Sequence, residues 1–321
     1  MSRLTAARAA VGGLANAGQQ MAAMQRELDA LRVQLGGLES RSVAALGPDR
    51  LRDAEFTVFS QFGEDGILQF LVGRVPIEND VFVEFGVEDY HESNTRFLLV
   101  HDNWRGLIID GGTTHVEFLR ATGLGWRHHI DAVSAFIDRD NINELIRAAG
   151  IEGDIGLLSV DIDGNDYWVL EAIDVVSPRI LVTEYNSIFG AEAAVTVPYK
   201  ADFVRGDAHP SWLYWGASLP ALVHLANAKG YALVGGNRAG NNAFFVRRDV
   251  LGDLPEVEAA EAWAPSRFRE SRGADQELTY VSSHDDRLAL MADMPVVDVI
   301  TGATTTIGDR LGVGRRGPNG S

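Results

Sequence analysis

Acidic residues recur in this sequence directly after short apolar runs. Glu84 follows Val81-Phe82-Val83, with Gly86 two positions later, and Asp110 follows Leu107-Ile108-Ile109. Asp161 and Asp163 follow Leu157-Leu158-Ser159-Val160, and Glu184 follows Ile180-Leu181-Val182-Thr183. If the apolar runs are parallel strands, these residues gather where open α/β sheets bind ligands, beyond the strands' carboxyl ends. A glycine at 86 lets backbone approach a ligand with no Cβ in the way. A carboxylate after the second strand is placed to accept hydrogen bonds from both hydroxyls of a ribose. The carboxylates together favour a cationic ligand.

A dinucleotide site is disfavoured. Its pyrophosphate needs Gly-x-Gly-x-x-Gly after the first strand, but the segment reads Gly86-Val87-Glu88-Asp89-Tyr90-His91, with two acids where the phosphates would lie. S-adenosylmethionine, with a cationic amine and sulfonium, suits the carboxylates better. Candidate bases for deprotonating an acceptor are Asp163, Glu184, His91 and His209, histidine having the more suitable unperturbed pKa. Asp161, Asp163 and Glu184 could instead hold Mg²⁺; alternatively Asp161 ends its strand and Asp163 orders the loop. Asp161-Ile162-Asp163-Gly164 is not read as a dehalogenase nucleophile loop, which follows the first strand of its domain. Nor is it read as a calcium loop, because Asp166 stands where glycine is required.

The elements that must position these residues alternate from residue 55 onward. Strands are expected at 81–85, 107–109, 129–134, 157–160, 180–183, 231–234 and 243–246. Helices are expected near 93–101, 115–122, 140–149, 166–173 and 216–229. Such alternation implies a mostly parallel sheet covered on both faces. The Gly/Asn-rich loop 235–242 is too short for a crossover helix, so the last two strands should form an antiparallel hairpin. The expected fold class is α/β, a Rossmann-like class I methyltransferase layout with seven strands. Residues 187–215, rich in Pro, Gly, Tyr and Trp, read as a lid. Within it Trp212, Tyr214 and Trp215 offer either a platform for a sugar ring or an apolar anchor. Phe56, Phe59 and Phe62 read as core.

Four regions are expected: a helical segment over 1–45, the α/β domain over 50–250, an acidic irregular extension over 251–308 and a disordered tail over 309–321. In the first, Met21, Met24, Leu28, Leu31, Leu35 and Leu38 alternate spacings of three and four, an a/d seam that Gly36 and Gly37 weaken at its end. It reads either as a coiled coil assembling copies of the chain through residues 20–40 or as a helix packing on its own domain.

With 45 acidic against 28 basic residues, the net charge is −17, which disfavours nucleic acid and anionic membrane surfaces as partners. Arg315 and Arg316 are too few to form a basic patch. The chain has no cysteine, which excludes disulfides and thiolate chemistry. No transmembrane run or signal peptide is read, so a cytoplasmic location is expected.

The segment 159–170, Ser-Val-Asp-Ile-Asp-Gly-Asn-Asp-Tyr-Trp-Val-Leu, resembles the signature of FkbM-like S-adenosylmethionine-dependent methyltransferases. In that signature a strand ends in Asp-Val/Ile-Glu/Asp-Gly, and an aromatic residue and a leucine follow on the next helix. The 81–86, 106–110, 183–185 and 242–247 stretches fall in the same order, so the resemblance covers roughly residues 55–250. The stretch Ser60-Gln61-Phe62-Gly63-Glu64-Asp65-Gly66 resembles the entry motif of a bacterial branch often found near surface-polysaccharide genes. The departure is Glu88, where a second glycine is usual. The resemblance implies that Glu84 and Gly86 contact the methionyl part, Asp110 the ribose, and Asp138, Asn141 and Ile142 the adenine. Asp161 and Asp163 would face the methyl group and the acceptor, a small molecule or glycan. The rival readings are a non-catalytic scaffold of the same fold, assembled through the N-terminal seam, and a nicotinamide-dependent oxidoreductase.

Overall fold

The computed structural model describes residues 3–312. A helix spans Arg3–Leu46, and a seven-stranded sheet follows. Its strands are β1 (Val81–Phe85), β2 (Arg105–Asp110), β3 (Ile130–Ser134), β4 (Gly153–Val160), β5 (Val176–Glu184), β7 (Tyr231–Gly236) and β8 (Asn242–Arg247). A second sheet holds β6 (Val195–Thr196), β9 (Pro295–Asp298) and β10 (Thr304–Thr306).

The order across the main sheet is β3-β2-β1-β4-β5-β8-β7. The first five strands run parallel, while β8 inserts antiparallel between β5 and β7. This is the Rossmann-like methyltransferase fold with its terminal hairpin. The central strands are buried on both faces, as their unbroken apolar runs require. One core, with Val83, Leu107, Leu158 and Phe245, packs against the helices Ile142–Ala148, Asp166–Ala172 and Leu219–Ala228. The other, with Phe82, Ile108, Leu157 and Phe244, packs against Glu64–Val72 and Arg96–His101. The hairpin turn is organised by Asn237, whose Oδ1 accepts from the N–H groups of Gly240, Asn241 and Asn242.

Two regions differ from the sequence reading. The 251–308 stretch is not merely irregular: β9 pairs with β6 from the insertion after β5, and β10 with β9. Insertion and extension share a core of their own, including Ile188, Val195, Phe203, Leu213, Tyr214, Met291 and Val296. The start of the expected disordered tail falls in the helix Ile307–Leu311, and residues 313–321 lie outside the described residues. Among Phe56, Phe59 and Phe62, only Phe59 is fully buried; Phe62 meets Phe268 of the extension edge to face. Among the described residues no helix is long and apolar enough to cross a membrane.

Candidate functional site

Strand register gathers the acids. Val160 stands beside Thr183 in the parallel β4–β5 ladder, so Asp161 and Glu184 leave their strands side by side. Glu84 aligns with Ser159 across β1–β4. Between β1 and β4 the chain order reverses, the switch point at which open α/β sheets bind ligands. Gly86 turns the chain there with φ +70°. A Cβ on it would lie 1.5 Å from the Asp161 carbonyl oxygen, so no other residue fits without moving the backbone.

Glu84 is buried, and its carboxylate accepts from the Ser93 hydroxyl, the Asn94 and Thr95 N–H groups and the Thr95 hydroxyl. It therefore holds the loop after β1 in place. Burial raises its pKa, opposed by those same donors. Glu88 sits in that loop at φ +46°, the left-handed region that glycine favours. The departure from the usual glycine thus keeps the glycine conformation. The Glu88 N–H donates to Asp110 Oδ2 (2.9 Å), and Gly112 N–H to Asp110 Oδ1 (2.7 Å). Each Asp110 oxygen keeps a further lone pair for a ligand hydroxyl.

After β3 the cavity wall is Ala135, Phe136 and Ile137. The neighbours expected there, Asp138, Asn141 and Ile142, do not reach it. Asp138 and Asn141 close a local cap through Asp138 Oδ1 and Asn141 Oδ1, and Asn141 Nδ2 donates to the Phe136 carbonyl. Ile142 is fully buried in the core. These residues shape the segment whose preceding residues face the cavity.

At the centre, Asp161 and Glu184 lie close enough to shift each other's ionisation. Two carboxyls this close are favoured when one of them holds a proton. Both pKa values rise well above the ordinary range, through desolvation first and then repulsion from Asp163 and Asp166; Asp161 further raises Glu184, whereas Glu184 draws Asp161 down. Asp166 is buried and accepts from the Ile162 and Gly164 N–H groups, fixing the loop after β4. Burial pushes its pKa up to about 6. Asp163 is exposed, has φ +54° and pairs with Arg205 at 2.9 Å. The metal expectation is corrected here. Asp163 is turned to a guanidinium, Asp161 and Glu184 are turned to each other, and among the described residues no three acidic or histidine side chains gather at ligand spacing.

The opposite wall comes from the insertion and the extension. Arg205 donates through Nε to the Trp212 carbonyl (2.6 Å), pairs with Glu270 and lies over the Trp215 ring. With Phe203, Leu213, Trp215, Ser266, Phe268 and Arg287 it lines the cavity. The three lid aromatics separate in role. Trp215 reaches the cavity; Tyr214 is buried, with its hydroxyl on the Pro295 carbonyl; Trp212 lies under Arg272. His209 is not brought to the cavity: its Nδ1 bonds Ser211, and desolvation lowers its pKa, favouring neutral imidazole. His91 is on the cavity wall.

The 60–66 stretch supplies the floor. Asp65 accepts from the N–H groups of Val58, Phe59 and Ser60, and burial raises it to about 6. Glu64 accepts from the side-chain amides of Asn237 and Asn242, and Gln61 faces the cavity beside it. Sequence reasoning missed Arg205, Phe268, Glu270 and Arg287. The aromatic density of 187–215 pointed to its neighbourhood, but no spacing signal marks the residues from 251 onward.

Together these walls enclose a cavity of about 730 Å³, within the range of small-molecule sites. Gly86, the loop after β1 and the open lone pairs of Asp110 fit a nucleoside bearing a cationic side chain. No family model matches the sequence, and no curated protein is similar to it. Among solved structures, the chain is similar to an O-methyltransferase family protein from Burkholderia thailandensis (15% identity, 57% of each chain, TM-score 0.34). It is also similar to the CurJ carbon methyltransferase (10%, 57% of this chain and 52% of that one, TM-score 0.36). A third is an S-adenosylmethionine-dependent methyltransferase from Clostridium acetobutylicum (8%, 53% and 85%, TM-score 0.33). The chain thus spans little more than half the length of the first two. The strand order, not these likenesses, identifies the fold.

Proposed function

We propose that the chain binds S-adenosylmethionine and transfers its methyl group to a hydroxyl of a small polar acceptor, such as a sugar or a surface glycan. The observation that carries this reading is the set of carboxylates at one switch point. Asp110, held by the Glu88 and Gly112 N–H groups, would accept from a ribose diol, and Asp161 and Glu184 would face the sulfonium and the acceptor. Methyl transfer is an in-line displacement, so positioning and removal of the acceptor proton supply the catalysis. Gly86 and the loop after β1 would hold the methionyl part, with Glu84 acting through that loop. The 135–137 segment, shaped by Asp138, Asn141 and Ile142, would flank the adenine.

The Asp161–Glu184 pair is the base in this proposal, and Asp163 with Arg205 orients the acceptor. Once the pair has lost its proton, it takes the proton from the attacking hydroxyl. Trp215, Phe203 and Phe268 supply apolar faces on which a sugar ring stacks, beside the acids that accept its hydroxyls. The acceptor enters from the lid side.

The test is to supply S-adenosylmethionine with a labelled methyl group and a panel of monosaccharides, nucleotide sugars and polyols. Methyl ether formation, lost in Glu184→Gln, supports the proposal. Label that appears on carbon, or on no acceptor while the cofactor binds, would count against O-methylation.

A further inference from the structure

The a/d seam of the N-terminal helix faces away from the body. The side of this helix that touches the body carries Asp29, Val33, Gly36, Gly37 and Val43. Asp29 pairs with the buried Arg96 at 3.0 Å, Val33 packs on the Val58–Phe59–Phe97 cluster, and Val43 packs on the main core. Gly36 and Gly37 make the closest approach. A Cβ on Gly36 would lie 2.4 Å from Val58 Cγ2, and one on Gly37 2.8 Å from His101 Nε2. These glycines do not merely weaken the helix; they let it lie against the body. At 3.6 residues per turn the seam is about 150° around the helix from this contact face. Met21, Met24, Leu28, Leu31, Leu35 and Leu38 are accordingly 50–71% exposed. The helix therefore packs on its own domain, but through a different face from the apolar one.

An exposed apolar seam of this kind marks an interaction surface. We propose that it is covered by the same seam of a second copy, in a parallel two-stranded coiled coil that leaves both bodies outside. The seam is self-complementary. Its a positions are Met21, Leu28 and Leu35, and its d positions Met24, Leu31 and Leu38, so like residues stack in layers over about 27 Å. The flanking positions select the parallel arrangement. There Glu27 at g faces Arg32 at e of the other helix, twice by symmetry, and the other g–e pairs, Gln20–Gln25 and Gln34–Glu39, bring no like charges together. The antiparallel alignment that overlays Met21 on Leu38 faces Glu27 with Gln34 and Arg32 with Gln25, and gains no ion pair. A two-fold dimer is also the commonest closed assembly.

Sedimentation of the full chain at tens of micromolar is the test. A dimer mass is expected. Leu28→Glu combined with Leu35→Glu should weaken the dimer at least 100-fold with unchanged circular dichroism, because both side chains are exposed in the single copy. The chain lacks cysteine, so Leu38→Cys should cross-link on mild oxidation, whereas Arg26→Cys, on the outer face of the pair, should not. A monomer, trimer or tetramer mass overturns the proposal. So does a dimer that survives the double substitution, or one in which Leu38→Cys fails to cross-link. If the doubly substituted chain does not fold, the wild-type mass and the cysteine pattern still decide.

Discussion

The rim at the ends of β1, β2, β4 and β5 and the rim made by the insertion and extension close the same cavity but are held differently. The first is an outgrowth of the sheet. Its acids are fixed by strand register and by backbone donors, as Glu84 is by Asn94 and Thr95, and Asp166 by Ile162 and Gly164. The second rests on a separate core and on strands of two to four residues. Its bonds to the sheet and the sheet's loops include Asn186 Nδ2 to the Leu213 and Trp215 carbonyls, Trp168 Nε1 to the Val197 carbonyl, Asn165 Nδ2 to the Lys200 carbonyl, Gly216 N–H to the Gly164 carbonyl, and Arg205 to Asp163. If the sheet rim holds the cofactor and the other rim the acceptor, as proposed, the two should be open to separate perturbation.

The largest effect is expected on the sheet side. Asp110→Ala removes charge-assisted hydrogen bonds worth about 1.5–3 kcal/mol, so S-adenosylhomocysteine affinity should fall about 10- to 100-fold by calorimetry. Unchanged affinity would break the assignment of the two rims. Next comes Glu184→Gln, which should lower kcat about 100-fold while cofactor affinity stays within a few-fold. The pH profile sharpens this point. Both carboxyls of the Asp161–Glu184 pair titrate above their ordinary range, so the pair keeps its proton at low pH and loses it as pH rises. Wild-type kcat should therefore climb with pH through that ionisation, and the residual rate of the Gln variant should not follow it.

A smaller and differently directed effect is expected across the cavity. Arg205→Ala frees Asp163, leaves Glu270 paired with Arg272, and should raise the acceptor KM about 10-fold. Cofactor affinity should stay within a few-fold, and an equal loss of both would show the rims to be one unit. The smallest is Tyr214→Phe. It removes the bond to the Pro295 carbonyl between insertion and extension, costing about 1 kcal/mol of thermal stability with cofactor affinity intact.

What the sequence revealed follows the same division. The sheet rim was legible because each of its strands is an apolar run with its acid at the end, while the register that sets those acids side by side comes from the structure. The observed strands exceed those runs where polar ends also pair, as Gly153 and Asp154 do with Val176 and Ser177. The helix expected over 216–229 begins at Leu219 because the Ser218 hydroxyl caps it, with Pro220 in its first turn. The lid rim was illegible because β6 pairs with β9 about a hundred residues away, and two-residue strands leave no periodicity. His209 looked suitable by type, but type alone does not show that its ring bonds Ser211. The acids 161, 163 and 184 do line one cavity, but the pairing of Asp163 with Arg205 was not readable, because nothing in the sequence of the lid shows which of its residues turn to the strand ends.

The measurement closest to the central claim is calorimetric titration of the full chain with S-adenosylhomocysteine, with NAD as the control. The carboxylate-lined switch point predicts saturable one-to-one binding of S-adenosylhomocysteine, weakened in Asp110→Ala, and no heat from NAD. Binding of NAD, or of neither ligand, would contradict it.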